Sequence, residues 1–155
     1  MKPHAFYRRL LLPHPIEEVF AFFERPENLK RLTPPSLGFR MMTPAVVMRQ
    51  GAVMDYTIHL LGVPVRWTTL IDSYNPPHGF SDVQLRGPYS YWHHSHRFEA
   101  KDGGTLMTDE VRYLLPLEPL GLLALPLVAW QLDRIFRFRS QAIRLVFPER
   151  VGRVS

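Results

Sequence analysis

Cysteine is absent from the 155 residues, and lysine occurs only at positions 2, 30 and 101. Without cysteine the chain has no disulfide framework, no thiolate nucleophile and no thiolate metal ligand. The net charge of +5 therefore comes almost entirely from arginine. Several arginines fall between 134 and 144, where the pattern predicts the solvated face of a helix. We therefore expect no nucleic-acid partner, which would favour basic clusters interleaved with exposed aromatic residues.

Long apolar runs are also missing. Near the N-terminus, Arg8 and Arg9 precede only three leucines before Pro13, which predicts that there is no secretory signal. The Leu-rich segment 116–126 is interrupted by three prolines and by Glu118, whereas a membrane span needs about 20 apolar residues in a row. We expect a cytoplasmic protein without stable membrane insertion, in which residues 116–126 form a mobile lid or a frayed helix start.

The order of the predicted elements indicates an α+β fold. The length predicts one domain over residues 1–148, followed by a loose tail at 149–155. A strand at 4–12 precedes two short helices, one at 15–24 and one that begins at Pro26. Six antiparallel strands follow, the first at 37–43, and apolar residues at helical spacing predict a long helix at 127–147.

The clearest strand pattern places aromatic and imidazole side chains on one face. Alternation puts Trp92, His94, His96 and Phe98 on the same side of a strand. The pair Asp102-Gly103 is typical of a two-residue hairpin turn. If Asp102-Gly103 is the centre of the turn, four cross-strand pairs follow: Phe98 with Met107, His96 with Asp109, His94 with Val111, and Trp92 with Tyr113. A centre at Gly103-Gly104 would shift every pair by two residues and leave the same side chains on the same face.

The neighbouring strands extend the same face. A turn at Leu61-Gly62 joins the strand of Tyr56 to that of Trp67 and Thr69, and a loop at 75–78 places Thr69 opposite Gln84 and Ile71 opposite Asp82. The corner Gly87-Pro88 then predicts that Asp82 lies opposite Trp92. A mostly apolar face that also carries Asp82, Gln84, His94, His96 and Asp109 is typical of a cavity wall.

A family resemblance agrees with this pattern. It is carried by the helix sequence Pro15-Ile16-Glu17-Glu18-Val19-Phe20-Ala21-Phe22-Phe23, the Pro26-Glu27-Asn28-Leu29 start, Leu32-Thr33-Pro34-Pro35, Pro76-Pro77, Gly87-Pro88-Tyr89, the Trp92 to Phe98 alternation and Phe136 to Arg139. With these residues the chain resembles the helix-grip SRPBCC superfamily of START lipid-transfer domains, pollen-allergen-like carriers and aromatic polyketide cyclases. The resemblance implies a curved seven-stranded antiparallel sheet wrapped round the long C-terminal helix, with two short helices between the first two strands.

Four interpretations of the polar cluster remain open. The cluster belongs to a cavity for a small hydrophobic or aromatic ligand of the lipid, polyketide or quinone class, or to a cyclase or dehydratase with a histidine base held by an aspartate. A His-x-His metal site and a self-satisfied structural pair are the other two. We favour ligand binding, expect no cofactor or metal, and note that the sequence leaves a homodimer open.

The hypothesis names specific residues. If the protein is an enzyme, we expect His94, His96 and Asp109 to be catalytic. The expected ligand contacts are Tyr56, Trp67, Thr69, Asp82, Gln84, Trp92, His94, His96, Phe98, Asp109, Tyr113, Leu132 and Phe136.

Overall fold

The structure, a computed structural model, describes residues 2–149. The strands are β1 (His4–Leu12), β2 (Arg40–Met41), β3 (Val53–Leu60), β4 (Val63–Asn75), β5 (Gly79–Arg86), β6 (Tyr91–Lys101) and β7 (Gly104–Leu114). The helices are α1 (Ile16–Phe23) and α2 (Leu125–Val146), with 3₁₀ helices at Pro26–Leu32, Pro35–Leu37 and Leu120–Ala124. The predicted tail lies outside the described residues from position 150 onward.

The strands form one antiparallel sheet in the order β1-β7-β6-β5-β4-β3-β2. This arrangement, with α2 as the long C-terminal helix, confirms the predicted α+β helix-grip fold. Apolar residues of α1, β6 and the C-terminal half of α2 pack into one cluster, and those of β4, β6, β7 and the first half of α2 pack into a second. The candidate site lies where the strands of these two clusters meet the helix.

The hairpin between β6 and β7 has the predicted register. Asp102 and Gly103 both adopt positive φ angles, of 51° and 75°, as a two-residue turn between twisted strands requires. His96 consequently lies opposite Asp109, and His94 lies opposite Val111. The turn chemistry therefore places a carboxylate beside the two imidazoles.

The corner between β5 and β6 corrects the predicted register by two residues. Asp82 lies opposite His94, not opposite Trp92. The cause is the side chain of Gln84, whose Nε2 donates to the Tyr89 carbonyl at 2.7 Å while its Oε1 accepts from the Tyr89 amide at 3.2 Å. These bonds close a wider loop than Gly87-Pro88 alone would form. The face of the strand is unchanged, but Asp82 moves closer to the imidazoles.

The region between α1 and β3 is less regular than predicted. Only Arg40–Met41 forms a strand, where the alternation had predicted one over 37–43. Pro35 begins a 3₁₀ turn, and Gly38 ends it with a φ angle of +53°, which a continuous strand does not accommodate. The chain from 26 to 39 therefore forms short turns that lie across the opening of the sheet.

The helix α2 begins at Leu125, two residues before the predicted start, because Pro126 occupies its first turn. A proline is tolerated there since the first amides of a helix have no intrahelical partner. The preceding segment is a 3₁₀ turn at Leu120–Ala124, in agreement with a helix start. Glu118 fastens this segment, since its Oε1 accepts from the Leu115 amide at 3.0 Å and lies 3.1 Å from Nε2 of His4.

Candidate functional site

A cavity of about 170 Å³ lies between the concave face of the sheet and α2. Strands β3 to β6 supply one wall and the middle of α2 supplies the other. The 3₁₀ helix Pro26–Leu32, together with Leu37 and Phe39, closes the side between them. Most of the lining is apolar, which favours ligands that release water from hydrophobic surface on binding.

Nine of the thirteen predicted contact residues line this cavity. They are Tyr56, Trp67, Thr69, Asp82, Trp92, His94, His96, Leu132 and Phe136. Strand parity brought the sheet residues together, and helical periodicity brought Leu132 and Phe136 onto the opposite wall. The sequence patterns therefore located both walls of the cavity.

The other four predicted residues lie behind the wall. Gln84 closes the β5–β6 corner, as described above. Phe98 packs in the core against Phe20, with ring centroids 5.5 Å apart, and Tyr113 packs edge-on to Tyr89 at 5.7 Å. Asp109 is buried beneath the two imidazoles and contacts both. Each of these residues supports the cavity from outside its lining.

The imidazoles and carboxylates form one chain of contacts. Nε2 of His94 lies 2.7 Å from Oδ1 of Asp109, and the same oxygen lies 3.3 Å from Nδ1 of His96, without hydrogen-bond geometry. Nε2 of His96 lies 3.0 Å from Oδ2 of Asp82. His96 thus lies between two carboxylates, while His94 contacts one. The ring of His96 also stacks on Phe80, with centroids 4.2 Å apart.

The pKa values of the two histidines are shifted in opposite directions because of these partners. Burial and the nearby charge of His96 lower the pKa of His94 to about 4, so His94 is neutral near pH 7 and donates from Nε2 to Asp109. Burial also acts to lower the pKa of His96, but the carboxylates of Asp109 and Asp82 outweigh burial and raise it. For both carboxylates, burial alone would raise the pKa, yet the histidines hold it below the ordinary value.

Arg139 is a site residue that we had left out of the expected contacts, because an arginine is more often exposed than buried. Its side chain is buried on α2, lines the cavity, and lies with its guanidinium carbon 5.8 Å from the ring centres of Phe23 and Phe136. Nε has no hydrogen-bond partner in the structure. The available signal was its spacing: Arg139 continues the buried stripe of Leu132, Phe136 and Ile143, whereas we had placed the nearby arginines on the solvated face.

Two further polar atoms of the wall lack partners. The indole Nε1 of Trp67 and the hydroxyl of Thr69 are buried without a hydrogen bond. A buried polar group without a partner costs about 1–3 kcal/mol. Together with Nε of Arg139, the wall therefore carries N–H and O–H groups whose hydrogen-bonding capacity is unused. These groups favour a ligand that contains acceptor oxygens.

The cluster also contains a possible ligand set for a metal. One donor atom each from Asp82, His94 and His96 lie within 4.8 Å of one another. Asp109 contacts Nε2 of His94 and Nδ1 of His96, and a carboxylate on the second ring nitrogen is also usual for metal-bound histidines. However, Nε2 of His96 is hydrogen-bonded to Asp82, and the raised pKa of His96 favours the protonated ring, whereas a metal ligand must be deprotonated. The contacts therefore fit a hydrogen-bonded chain better than a metal centre.

A sequence model of the family described as polyketide cyclase/dehydrase and lipid transport matches residues 12–138. The chain belongs to this family. A comparison with curated proteins gave no match. The family assignment confirms the resemblance to the helix-grip SRPBCC superfamily, and supports small-ligand binding or cyclase-type chemistry as the general function.

Solved structures agree with the family fold. The ZhuI aromatase/cyclase from Streptomyces sp. R1128 is similar with a TM-score of 0.76 and 14% identity, over 99% of this chain and 98% of that one. The major latex-like protein 151 of Panax ginseng has a TM-score of 0.68 and 12% identity, over 96% and 100%. A nucleoside-diphosphate sugar epimerase from Corynebacterium glutamicum is 26% identical over 89% of this chain, but over only 28% of its own length, with a TM-score of 0.66.

Membrane-spanning helices do not occur between residues 2 and 149, where every helix is too short or too polar to cross a bilayer.

Proposed function

We propose that this protein binds a small, neutral, mostly aromatic ligand that carries acceptor oxygens, of the polyketide or quinone class, in the cavity between the sheet and α2. The observation that carries the proposal is the combination of an apolar wall with one buried polar cluster. Apolar walls supply affinity, and a few polar groups in fixed positions supply orientation. Arg139 and Trp67 both line the cavity, and each carries a buried N–H group without a partner.

The volume limits the ligand to about one ring system inside the cavity. Ligand pockets usually measure about 300–1,000 Å³, and an engineered cavity of about 150 Å³ admits benzene. At about 170 Å³, the cavity accommodates a ring-sized group as it stands.

The charges of the cluster favour a neutral ligand. Asp82 and Asp109 are anionic, since their pKa values are lowered, and His94 is neutral. Arg139 and, through its raised pKa, a protonated His96 offset the two negative charges. An anionic ligand would add an uncompensated charge to a buried, apolar site, which is costly unless the charge is paired.

A matched pair of probes tests this proposal. Calorimetry at pH 7 with 2-naphthol and 2-naphthoate compares one ring system with and without a charge. We expect 2-naphthol to bind at least about tenfold more tightly, which corresponds to about 1.4 kcal/mol. Equal or tighter binding of 2-naphthoate, or no binding of either compound, would contradict the proposal. Native mass spectrometry of the purified protein then identifies the natural ligand class.

Cyclase or dehydratase activity is the second candidate, and the chain of His94, Asp109, His96 and Asp82 favours it. With Nε2 bonded to Asp109, Nδ1 of His94 is the nitrogen left to accept a proton, and Asp109 would stabilise the resulting imidazolium. However, a base is most effective when its pKa lies near the working pH, and the pKa of His94 is about 4. Binding therefore ranks first. Turnover of a poly-β-ketone substrate that is lost in His94→Ala would reverse this order.

A further inference from the structure

One end of the molecule collects several loops. Because the sheet is antiparallel, the Leu61-Gly62 turn, the β5–β6 corner and the segment after β7 all lie at the same end of the strands. The helix α2 begins at this end too, directly after the 3₁₀ helix Leu120–Ala124. We call it the loop end.

The loop end exposes large apolar side chains. The exposed fractions are 82% for Leu117, 74% for Leu120 and 87% for Leu123. Leu61, Leu127 and Trp130 are also exposed, and we call the six residues the apolar rim. Isolated exposed leucines are common on protein surfaces, but a group of this kind marks a site of interaction.

Local contacts of residues 116–124 keep these leucines exposed. Leu117 has a φ angle of +59°, which is unfavourable for a residue with a side chain. Glu118 keeps the turn in place through its contacts with the Leu115 amide and His4. A Cβ on Gly121 would lie 2.1 Å from the Pro116 carbonyl oxygen, so the turn closes tightly. The exposure of the leucines is therefore fixed by local contacts.

The charges around the rim suit an anionic surface. Residues 56–71, 83–93 and 111–132 contain a single acidic residue, Glu118, whose side chain is only 5% exposed. The next acid along α2, Asp133, is paired with Arg8 and Arg137. Arg134 lies over the ring of Trp130, with its guanidinium carbon 5.5 Å from the ring centre. The chain as a whole carries a net charge of +5.

We propose that the apolar rim docks the protein on an anionic lipid surface. Exposed leucines enter the boundary between headgroups and acyl chains, tryptophan prefers that boundary, and arginine attracts anionic headgroups. The rim continues into the cavity wall, because Leu125 and Val128 of α2 pack in the same cluster as Leu37 and Phe39. A hydrophobic ligand would thus pass between bilayer and cavity at this end. This passage of ligand rests on the proposed function, whereas the docking does not.

Flotation of the full chain with lipid vesicles tests the docking. We expect binding to vesicles of mixed phosphatidylcholine and phosphatidylglycerol, weaker binding to pure phosphatidylcholine, and a decrease at high salt because exposed charges are screened. The triple variant Leu117→Ser, Leu120→Ser, Leu123→Ser should lose about tenfold or more in vesicle affinity. Its three sites are exposed, so the fold should be unaffected.

A control uses apolar side chains that are about equally exposed elsewhere. Val47 and Leu145 are 78% and 84% exposed, and the double variant Val47→Ser, Leu145→Ser should bind vesicles like the wild type. Absence of wild-type binding, or an equal loss in the control, would overturn the proposal. So would dimers of the wild type that fail to bind vesicles and disappear in the triple variant, since the rim would then hold a second copy. If the triple variant still binds 2-naphthol like the wild type, its loss of vesicle binding is independent of ligand binding in the cavity.

Discussion

His94 and His96 lie two residues apart on β6 with ring centroids 3.7 Å apart, yet their pKa values are shifted in opposite directions. Two protonated imidazoles at this distance would repel each other strongly. His96 contacts both carboxylates and keeps the proton, and His94 stays neutral beside it. The pair therefore behaves as one unit in which the first proton resides on His96.

The first prediction concerns pH. Since the pKa of His94 falls from 6.5 to about 4 on folding, the folded protein binds fewer protons than the unfolded chain in that interval and loses stability as the pH falls through it. Since the pKa of His96 is raised, its contribution is complete below 6.5 and is lost as the pH rises through its folded pKa. The free energy of unfolding should therefore be greatest near pH 6.5, as urea titrations at a series of pH values will measure.

Two variants separate the loss of stability at acid pH from the loss at alkaline pH. His94→Gln should flatten the decline between pH 6.5 and 4, and His96→Gln should flatten the alkaline decline. Both variants also lower the whole curve, because each removes a buried contact with a carboxylate. A wild-type curve that rises steadily from acid to alkaline pH would show that His96 does not hold the proton.

The second prediction concerns the buried guanidinium. Replacement of Arg139 by Met removes a cation that lowers the pKa of Asp82 and Asp109, and we expect a loss of about 3 kcal/mol in stability, because breaking a buried charge cluster leaves an uncompensated carboxylate. Arg137→Met on the same helix is the control. Arg137 is 65% exposed and pairs with Asp133, so its loss should cost under about 1 kcal/mol. Equal losses of stability in the two variants would show that Arg139 does not stabilise the buried carboxylates.

The third prediction concerns Gly79, which allows β5 to approach β6 closely. A Cβ at this position would lie 2.4 Å from the backbone oxygen of His96, so Gly79→Ala must displace the strand that carries the histidines. We expect a loss of about 2–3 kcal/mol in stability and weaker 2-naphthol binding. Gly103→Ala is the comparison: it has open space around it but a φ angle of +75°, so it should cost about 1–2 kcal/mol and leave binding unchanged.

The fourth prediction concerns metals. Because Asp109 and Asp82 raise the pKa of His96 and a metal ligand must be deprotonated, we expect no stoichiometric zinc or iron in protein purified without chelators, and no rise in Tm on addition of zinc. Elemental analysis and thermal unfolding measure both quantities. One equivalent of metal per chain, lost in His94→Ala, would instead support the site formed by Asp82, His94 and His96.

The sequence predicted those parts of the site that local rules determine. Strand parity placed the histidines and Asp109 on one face, and of the two turn centres that the sequence allowed, the structure adopts Asp102-Gly103, which sets His96 opposite Asp109. The β5–β6 register was wrong because a side chain, Gln84, determines the width of that corner. The 3₁₀ turns at 26–37 contribute to the cavity wall through tertiary packing, for which the sequence carries little periodic signal.

Arg139 shows a different limit. Arginine is rarely buried without a partner, so composition argued for the solvated face even though helical spacing argued for the buried one. Only the tertiary structure shows that two carboxylates on the sheet and two aromatic rings compensate the buried charge. A charged residue within an apolar helical stripe is thus a useful indicator of a site in such folds.

The three tryptophans are distributed so that each proposed event has its own optical signal. Trp67 and Trp92 lie on the cavity wall with ring centroids 5.2 Å apart, and Trp130 stands in solvent at the loop end. Ligand uptake should quench the emission of the buried pair, whereas contact with a bilayer should shift the emission of Trp130 to shorter wavelength. Fluorescence of the unmodified protein can therefore follow ligand binding in the cavity and docking of the loop end separately, within one sample.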